Sequence, residues 1–178
     1  MSPITKPALD ILKFCPRCGS NRFMEINNRA RQCSDCAFIL YINSAAAVVA
    51  LICDPCGNVL FTVRKHNPGK GTLDLPGGFI DPGETAEIAL KREIAEELNL
   101  NIVEYEYKES YPNTYLYGGM IYFTLDMLFL CKIESFESIK AADDVEEYKF
   151  LPLSTDLIPK IGLQSIKIIV ETYCKKSL

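Results

Sequence analysis

Gly77-Gly78-Phe79-Ile80-Asp81-Pro82-Gly83-Glu84, continued after seven residues by Arg92-Glu93-Ile94-Ala95-Glu96-Glu97, decides how this chain is read. The glycines and Pro82 predict a loop, and Thr85 predicts the N-cap of a helix with Glu87 in its first turn. Asn99 stands where that helix ends in a left-handed residue, a conformation Asn tolerates next best after Gly. At about 100° per residue, Glu93, Glu96 and Glu97 share one narrow arc, with Ala86 and Ala89 beside them. Leu90, Ile94 and Leu98 form the adjacent apolar stripe, so one face packs and its neighbour binds. Like charges at this spacing weaken a helix by a few tenths of a kcal/mol per pair, so their crowding demands a cation. Oxygen ligands around a site open to phosphate suit Mg²⁺ or Mn²⁺. The small alanines are expected to leave room for metal and pyrophosphate.

From Gly78 the pattern runs Gly, five residues, Glu84, seven residues, Arg92-Glu93-Ile94, one residue, Glu96-Glu97, one residue, Asn99-Leu100. This resembles the Nudix box, with Asn99 in place of the late glycine. The resemblance covers Ala45 to Tyr173 by pattern and implies the Nudix α/β/α sandwich with a mixed sheet. It implies hydrolysis of a phosphoanhydride in a nucleoside diphosphate-linked small molecule. By resemblance, Glu93, Glu96 and Glu97 coordinate Mg²⁺ or Mn²⁺ together with the Gly77 carbonyl, and Arg92 pairs with Glu84. A later loop often carries the general base in this family, which makes Asp144, Glu146 and Glu147 the candidates.

Upstream, Cys15-Pro16-Arg17-Cys18 and Cys33-Ser34-Asp35-Cys36 form two CxxC knuckles with fourteen residues between them, the spacing of a four-cysteine structural zinc site. Arg22 to Ile26 and Arg29 to Gln32, around Asn27-Asn28, read as two short strands with a tight turn. The expected organisation is an N-terminal segment over 1–13, a zinc ribbon over 14–42 and a Nudix hydrolase domain over 43–178. A ribbon followed by this box also resembles the branch that includes NADH pyrophosphatases. That branch carries Ser-Gln-Pro-Trp-Pro-Phe-Pro downstream; this chain has Glu109-Ser110-Tyr111-Pro112-Asn113-Thr114-Tyr115 and no tryptophan, which leaves ADP-ribose at least as good a candidate as NADH.

Working outward, Ala45 to Ile52 reads as a strand buried on both faces. Asp54 to Asn58 is a turn and Val59 to Arg64 a second strand. Cys53 and Cys56 straddle that turn with no second pair to complete a metal site, and His66 lies in a Gly/Pro/Lys loop, solvated or near substrate. After the helix, strands are expected around Ile102 to Tyr107, Tyr115 to Tyr117, Ile121 to Ile133 and Tyr148 to Leu151. Leu163 to Cys174 reads as a helix burying Ile166, Ile169, Val170 and Tyr173. Cys131 and Cys174 read as core thiols, and Tyr111, Tyr115 and Tyr117 as strand aromatics able to stack on a base.

The 178 residues suffice for one buried domain with a small appendage, and 48% hydrophobic with 24% charged residues is an ordinary globular composition. The net charge of −4 gives no electrostatic case for nucleic-acid binding by the whole chain. Neither the start of the chain nor any later segment has the apolar run of a signal peptide or membrane span, so no membrane partner is expected and the cytoplasm is the expected compartment. There, eight cysteines suggest metal ligands and buried thiols before disulfides. A homodimer is the commonest assembly for such a protein. The competing class is a ligand sensor or nucleic-acid-binding regulator that uses the ribbon, with Arg17, Arg22, Arg29 and Arg31, as its contact module.

Overall fold

The computed structural model describes residues 6–176, in two compact units. The first runs up to Ser44 and includes Thr114–Phe123. Within it β1 (Lys6–Pro7) leads into one helical turn, α1 (Ala8–Ile11). The expected N-terminal segment therefore carries regular structure where it is described; residues before Lys6 lie outside the described residues. β2 (Phe23–Asn27), β3 (Ala30–Cys33) and β4 (Ile39–Tyr41) make an antiparallel sheet with β3 in the middle. Phe23, Cys15 and Cys33 are its small core, with Phe38 and Leu40 against them. So few apolar groups cannot hold about thirty residues in place without a further tie.

The second unit holds Ala45–Asn113 and the chain from Thr124 onward. Its strands are β5 (Ala45–Ile52), β6 (Val59–Arg64), β7 (Leu73–Asp74) and β8 (Gly77–Phe79), followed by α2 (Ala86–Leu98). Then come β9 (Ile102–Tyr117) and β10 (Met120–Ile133), whose stretch Thr114–Phe123 belongs to the first unit, and β11 (Val145–Leu151), a 3₁₀ turn at Thr155–Lys160 and α3 (Gln164–Lys176). β10 lies parallel to β5, from Thr124 opposite Ala45 to Cys131 opposite Ile52, and β8 lies antiparallel to β5 with Gly77 opposite Val49. β9 pairs with β10, and β11, β6 and β7 form a second, antiparallel sheet.

β5 explains the layering. Its side chains alternate across the sheet. Val49 and Leu51 join a core with Ile166, Ile169, Val170 and Tyr173 of α3. Val48, Ala50 and Ile52 join another with Leu90, Ile94 and Leu98 of α2. A strand that is apolar on both faces thus ends between two helices, the sandwich with mixed strand directions that its sequence predicts.

Two expectations are corrected. Ile102 to Tyr107 and Tyr115 to Tyr117 are not separate strands but parts of the single sixteen-residue β9. Pro112 lies inside it, and β9 has a described strand partner on one side only, the edge setting in which a sheet accommodates proline. Ala89 does not leave space beside the carboxylates; it is fully buried among Leu90, Ile94 and Leu98, and Ala86 packs against the same core.

Candidate active site

Strand β8, which leads into the loop before α2, depends on two positions that only glycine can fill. Gly77 has φ 142°, and a Cβ there would collide with the Val48 carbonyl. At Gly78 a Cβ would stand 2.5 Å from the Glu93 carboxyl carbon, so this glycine lets the carboxylate rest against the loop. Pro76 contributes its carbonyl to Ala50 N–H at 2.8 Å, and Ile80 N–H donates to Ala46 O at 3.1 Å. Thr85 caps the helix, its hydroxyl accepting from Ile88 N–H at 3.3 Å. Asn99 closes it at φ 53°, ψ 40°. It also does what glycine cannot: its side-chain amide donates to Ser138 O at 3.0 Å, tying the helix end to the β10–β11 connection.

Arg92 sits at the centre of the box. Its guanidinium grips Glu84 with both arms, at 2.9 and 2.8 Å, the geometry in which an Arg–carboxylate pair is strongest. It also donates to Glu93 at 2.8 Å, to Glu96 at 3.1 Å and to Phe79 O at 3.0 Å. The sequence predicts only the Glu84 partner. Hydrogen bonding from Arg92 holds the Glu84 carboxyl below its usual range, and the same bonds raise the Arg92 pKa, so both remain charged.

The three arc carboxylates occupy different environments. Glu96 is half exposed and reaches only Arg92. Glu93 is largely shielded, and burial pushes its carboxyl up despite the arginine beside it, with Glu96 and Asp143 adding to the effect. Glu97 is 8% exposed and accepts a hydrogen bond from Gly77 N–H at 3.0 Å. Burial, opposed by that bond and reinforced by Asp74, Glu93 and Asp144, pushes its carboxyl up to about 8. A buried acid among other acids is short of positive charge, and the carboxylates of Asp74, Glu93 and Asp144 that act on it offer only oxygen as a metal ligand.

Several groups that line this region carry no sequence signal. Asp74 is buried and takes a 2.6 Å ion pair from Arg64, while accepting Leu75 N–H at 2.9 Å. Arg64 also donates to Pro68 O at 2.7 Å, so one side chain closes the His66 to Gly71 loop and steadies the strand leading to Gly77. Lys65 donates to Asp143 O at 2.8 Å, and exposed His66 lies 3.7 Å from Asp144. On β11 the exposed Glu147 side chain faces Lys149 at 3.0 Å. Of the three candidate bases, the influence of Asp144 reaches Glu97.

In the first unit the four cysteines converge. Their sulfurs all lie within 4.8 Å of one another, with Cys15 to Cys36 at 3.7 Å and Cys18 to Cys33 at 3.6 Å. A tetrahedron with metal–sulfur bonds of about 2.3 Å has edges of about 3.8 Å, so the spacing fits Zn²⁺. The two knuckles match: Gly19 N–H donates to Cys15 O at 2.8 Å and Ala37 N–H to Cys33 O at 3.0 Å, with both residues left-handed. Among the described residues no such cluster includes Cys53 or Cys56, while Cys131 is buried and Cys174 packs against the core that α3 covers.

Comparison with known proteins follows this geometry. The model of the NUDIX domain matches residues 43–169. An ADP-ribose pyrophosphatase of Methanocaldococcus jannaschii is 36% identical over 132 residues, 73% of each chain. The NAD-capped RNA hydrolase NudC of Deinococcus radiodurans is 28% identical over 116 residues, 64% of this chain but only 41% of that one. This chain thus spans less than two thirds of that relative's length. A NUDIX hydrolase structure from Nitrosomonas europaea has the same fold, with a TM-score of 0.68 at 24% identity over 93% of this chain and 92% of that one. A bifunctional NMN adenylyltransferase/ADP ribose pyrophosphatase from Francisella tularensis, complexed with AMP and a manganese ion, aligns at a TM-score of 0.57 and 25% identity, covering 76% of this chain and 42% of that one. Among the described residues no helix is long and apolar enough to cross a membrane. A box whose glycines, arginine and glutamates lock together as this one's do, within a match spanning most of the sequence, makes this chain a member of the NUDIX family of pyrophosphohydrolases.

Proposed function

We propose that the protein hydrolyses the pyrophosphate bond of ADP-ribose, NADH or a similar nucleoside diphosphate derivative. Mg²⁺ or Mn²⁺ would be held by Glu93, Glu96, Glu97 and the Gly77 carbonyl, and a structural Zn²⁺ by Cys15, Cys18, Cys33 and Cys36. The observation that carries this reading is Glu97, a buried carboxylate that accepts the Gly77 N–H and has three acidic groups acting on it. Hard oxygen donors of this kind suit a small divalent cation, and a bound ion of this kind shields phosphate oxygens and makes water a better nucleophile.

The chain's own residues supply the rest. Arg92 keeps Glu84, Glu93 and Glu96 in register between loop and helix, a supporting role. The Gly77 N–H aims Glu97, and the absence of a Cβ at Gly78 leaves the Glu93 carboxylate its place against the strand. Of the acidic groups after β10, Asp144 is favoured as proton acceptor over Glu146 and Glu147 because its charge is felt at Glu97.

The ADP-ribose reading is favoured over NADH because the tryptophan-containing stretch of the NADH branch is missing and the 36% identical relative bears the name ADP-ribose pyrophosphatase. The proposed division remains a segment over 1–13, a ribbon over 14–42 and a hydrolase domain over 43–178, in a cytoplasmic protein whose eight cysteines form no disulfide. The sensor alternative has no observation in its favour, since Arg22 is engaged by Asp35 and Arg31 by the Phe23 carbonyl.

A panel of ADP-ribose, NADH, diadenosine polyphosphates, nucleotide sugars and nucleoside triphosphates, each with Mg²⁺ and Mn²⁺, tests the reading. Metal-dependent turnover fastest on ADP-ribose or NADH supports it. Preference for triphosphates would overturn the substrate class, and inertness of the folded protein toward the whole panel would overturn the activity.

A further inference from the structure

The connection from β10 to β11 is sewn to the end of α2. The Asn99 side-chain amide donates to Ser138 O at 3.0 Å and the Ser138 hydroxyl to Asn99 O at 3.1 Å. Lys140 N–H then donates to Leu98 O at 3.0 Å, and Ala142 N–H to Glu97 O at 2.8 Å. A helix leaves its last carbonyls without partners inside the helix, so residues 138–142 form a strap that satisfies them. Glu97 holds this strap through its own carbonyl, which ties the buried carboxylate and the strap into one piece.

The far end of the strap is held by Lys65, the residue after β6. Its backbone N–H donates to Asp144 O at 3.0 Å, and its ammonium donates to Asp143 O at 2.8 Å. The neighbouring Arg64 is itself fixed on Asp74 at 2.6 Å, so Lys65 stands on an anchored strand end. Between the two attachments the chain turns at Asp143, left-handed with φ 48°, a conformation Asp tolerates better than most residues. The turn delivers two acids to the box, where Asp143 acts on Glu93 and Asp144 on Glu97. The Asp144 side chain is 74% exposed, and His66 at 3.7 Å is too distant to hold it by a hydrogen bond. Its place is therefore set by its backbone, and the backbone is set by Lys65.

We propose that Lys65 is a positioning residue for the hydrolysis: by gripping the carbonyls of Asp143 and Asp144 it holds the Asp144 carboxylate where it can take a proton from the attacking water. This rests on the proposed function, with Asp144 as proton acceptor.

Steady-state kinetics of the full, zinc-loaded chain test it, on the panel substrate that the wild type turns over fastest with Mg²⁺. Lys65→Met keeps the length of the side chain and the backbone bond but loses the ammonium. It should lower kcat about tenfold, as a displaced proton acceptor does, and leave KM within about twofold. Lys65→Arg keeps a cation of similar reach and should recover most of the rate. Asp144→Asn should lower kcat on the order of a hundredfold. Because Lys65 acts through Asp144, adding Lys65→Met to Asp144→Asn should cost less than about a further twofold, whereas a purely structural lysine would cost its full tenfold again. Lys65→Met at the wild-type kcat, a rise in KM alone, failure of Lys65→Arg to recover the rate, or additive losses in the double variant would each refute this inference and leave the hydrolase reading standing. Asp144→Asn at the wild-type rate would overturn the choice of proton acceptor and this inference together, and a wild type inert on the whole panel would overturn the proposed function with it.

Discussion

Replacing Glu97 with glutamine separates the two consequences of burying this carboxylate. Gln keeps the length of the side chain and an oxygen to accept the Gly77 N–H bond that measures 3.0 Å. It removes a charge that folding confines to an 8% exposed site. In the metal-free protein the carboxyl is pushed from 4.5 to about 8, chiefly by burial. At about 1.4 kcal/mol per pH unit this sets a ceiling of about 5 kcal/mol on the cost of ionising it in the fold. The sign follows from protons bound: between those two values the folded state retains a proton that the unfolded state has lost. The metal-free wild type therefore loses stability as pH rises from about 4.5 to about 8 and levels off above. Glu97→Gln should escape this loss. Chelator-treated variant and wild type should have similar stability at pH 4, whereas at pH 8.5 the variant should be the more stable by about 2–3 kcal/mol once water penetration is allowed for. Activity moves oppositely: losing one interaction realised in the transition state lowers kcat on the order of 10²- to 10³-fold. Urea denaturation in chelator across that pH range and steady-state rates in Mg²⁺ would show both effects. A variant less stable than wild type at pH 8.5, or one with wild-type kcat and unchanged Mg²⁺ dependence, would refute the reasoning.

Further outcomes test the surrounding parts. Gly78→Ala should push the Glu93 carboxyl away from the loop, weakening Mg²⁺ affinity in a titration while the circular dichroism spectrum stays wild type. Gly77→Ala meets both a φ of 142° and the Val48 carbonyl, and should cost more than about 4 kcal/mol or prevent soluble expression. Glu84→Gln removes one of the four groups Arg92 contacts and should lower kcat less than Glu97→Gln does. Because the Glu84 pKa is lowered, the stability it contributes is present above 4.5 and lost as pH falls through its folded value, so the wild-type advantage in acid melts should vanish at low pH. Elemental analysis should find one zinc ion per chain, lost in a Cys15→Ser/Cys33→Ser variant.

Local chemistry made most of the box legible. Thr85 as N-cap, Asn99 as a left-handed terminus and the Leu90, Ile94, Leu98 stripe depend on the helix alone, and so could be read from spacing. β5 was readable for a related reason: an unbroken apolar run can be buried only between two layers. The cysteine knuckles were readable because four thiols at that spacing need few other contacts to converge. The different surroundings of Glu93, Glu96 and Glu97 were not, because helical periodicity gives an angle about the axis and not the depth at which each side chain meets the sheet. Ala89 shows the same gap, lying on the expected arc yet inside the core. Arg64 and Asp74 were hidden because their partners are brought by separate strands and loops, and for the same reason the sequence could not separate Asp144 from Glu146 and Glu147. β9 read as two strands because a sequence does not say which strand will lie at an edge, where a proline such as Pro112 can sit inside a continuous strand.

The central claim is that this box performs metal-dependent hydrolysis at a pyrophosphate. The most direct test follows ADP-ribose by ³¹P NMR with the purified, zinc-loaded protein, with Mg²⁺ present and then with excess chelator. The account predicts that the pyrophosphate resonances give way to two phosphomonoester signals, AMP and ribose 5-phosphate, only while Mg²⁺ is available, and that Glu97→Gln slows this conversion by at least about a hundredfold. Conversion at an undiminished rate in chelator, or in the folded variant at the wild-type rate, would contradict it.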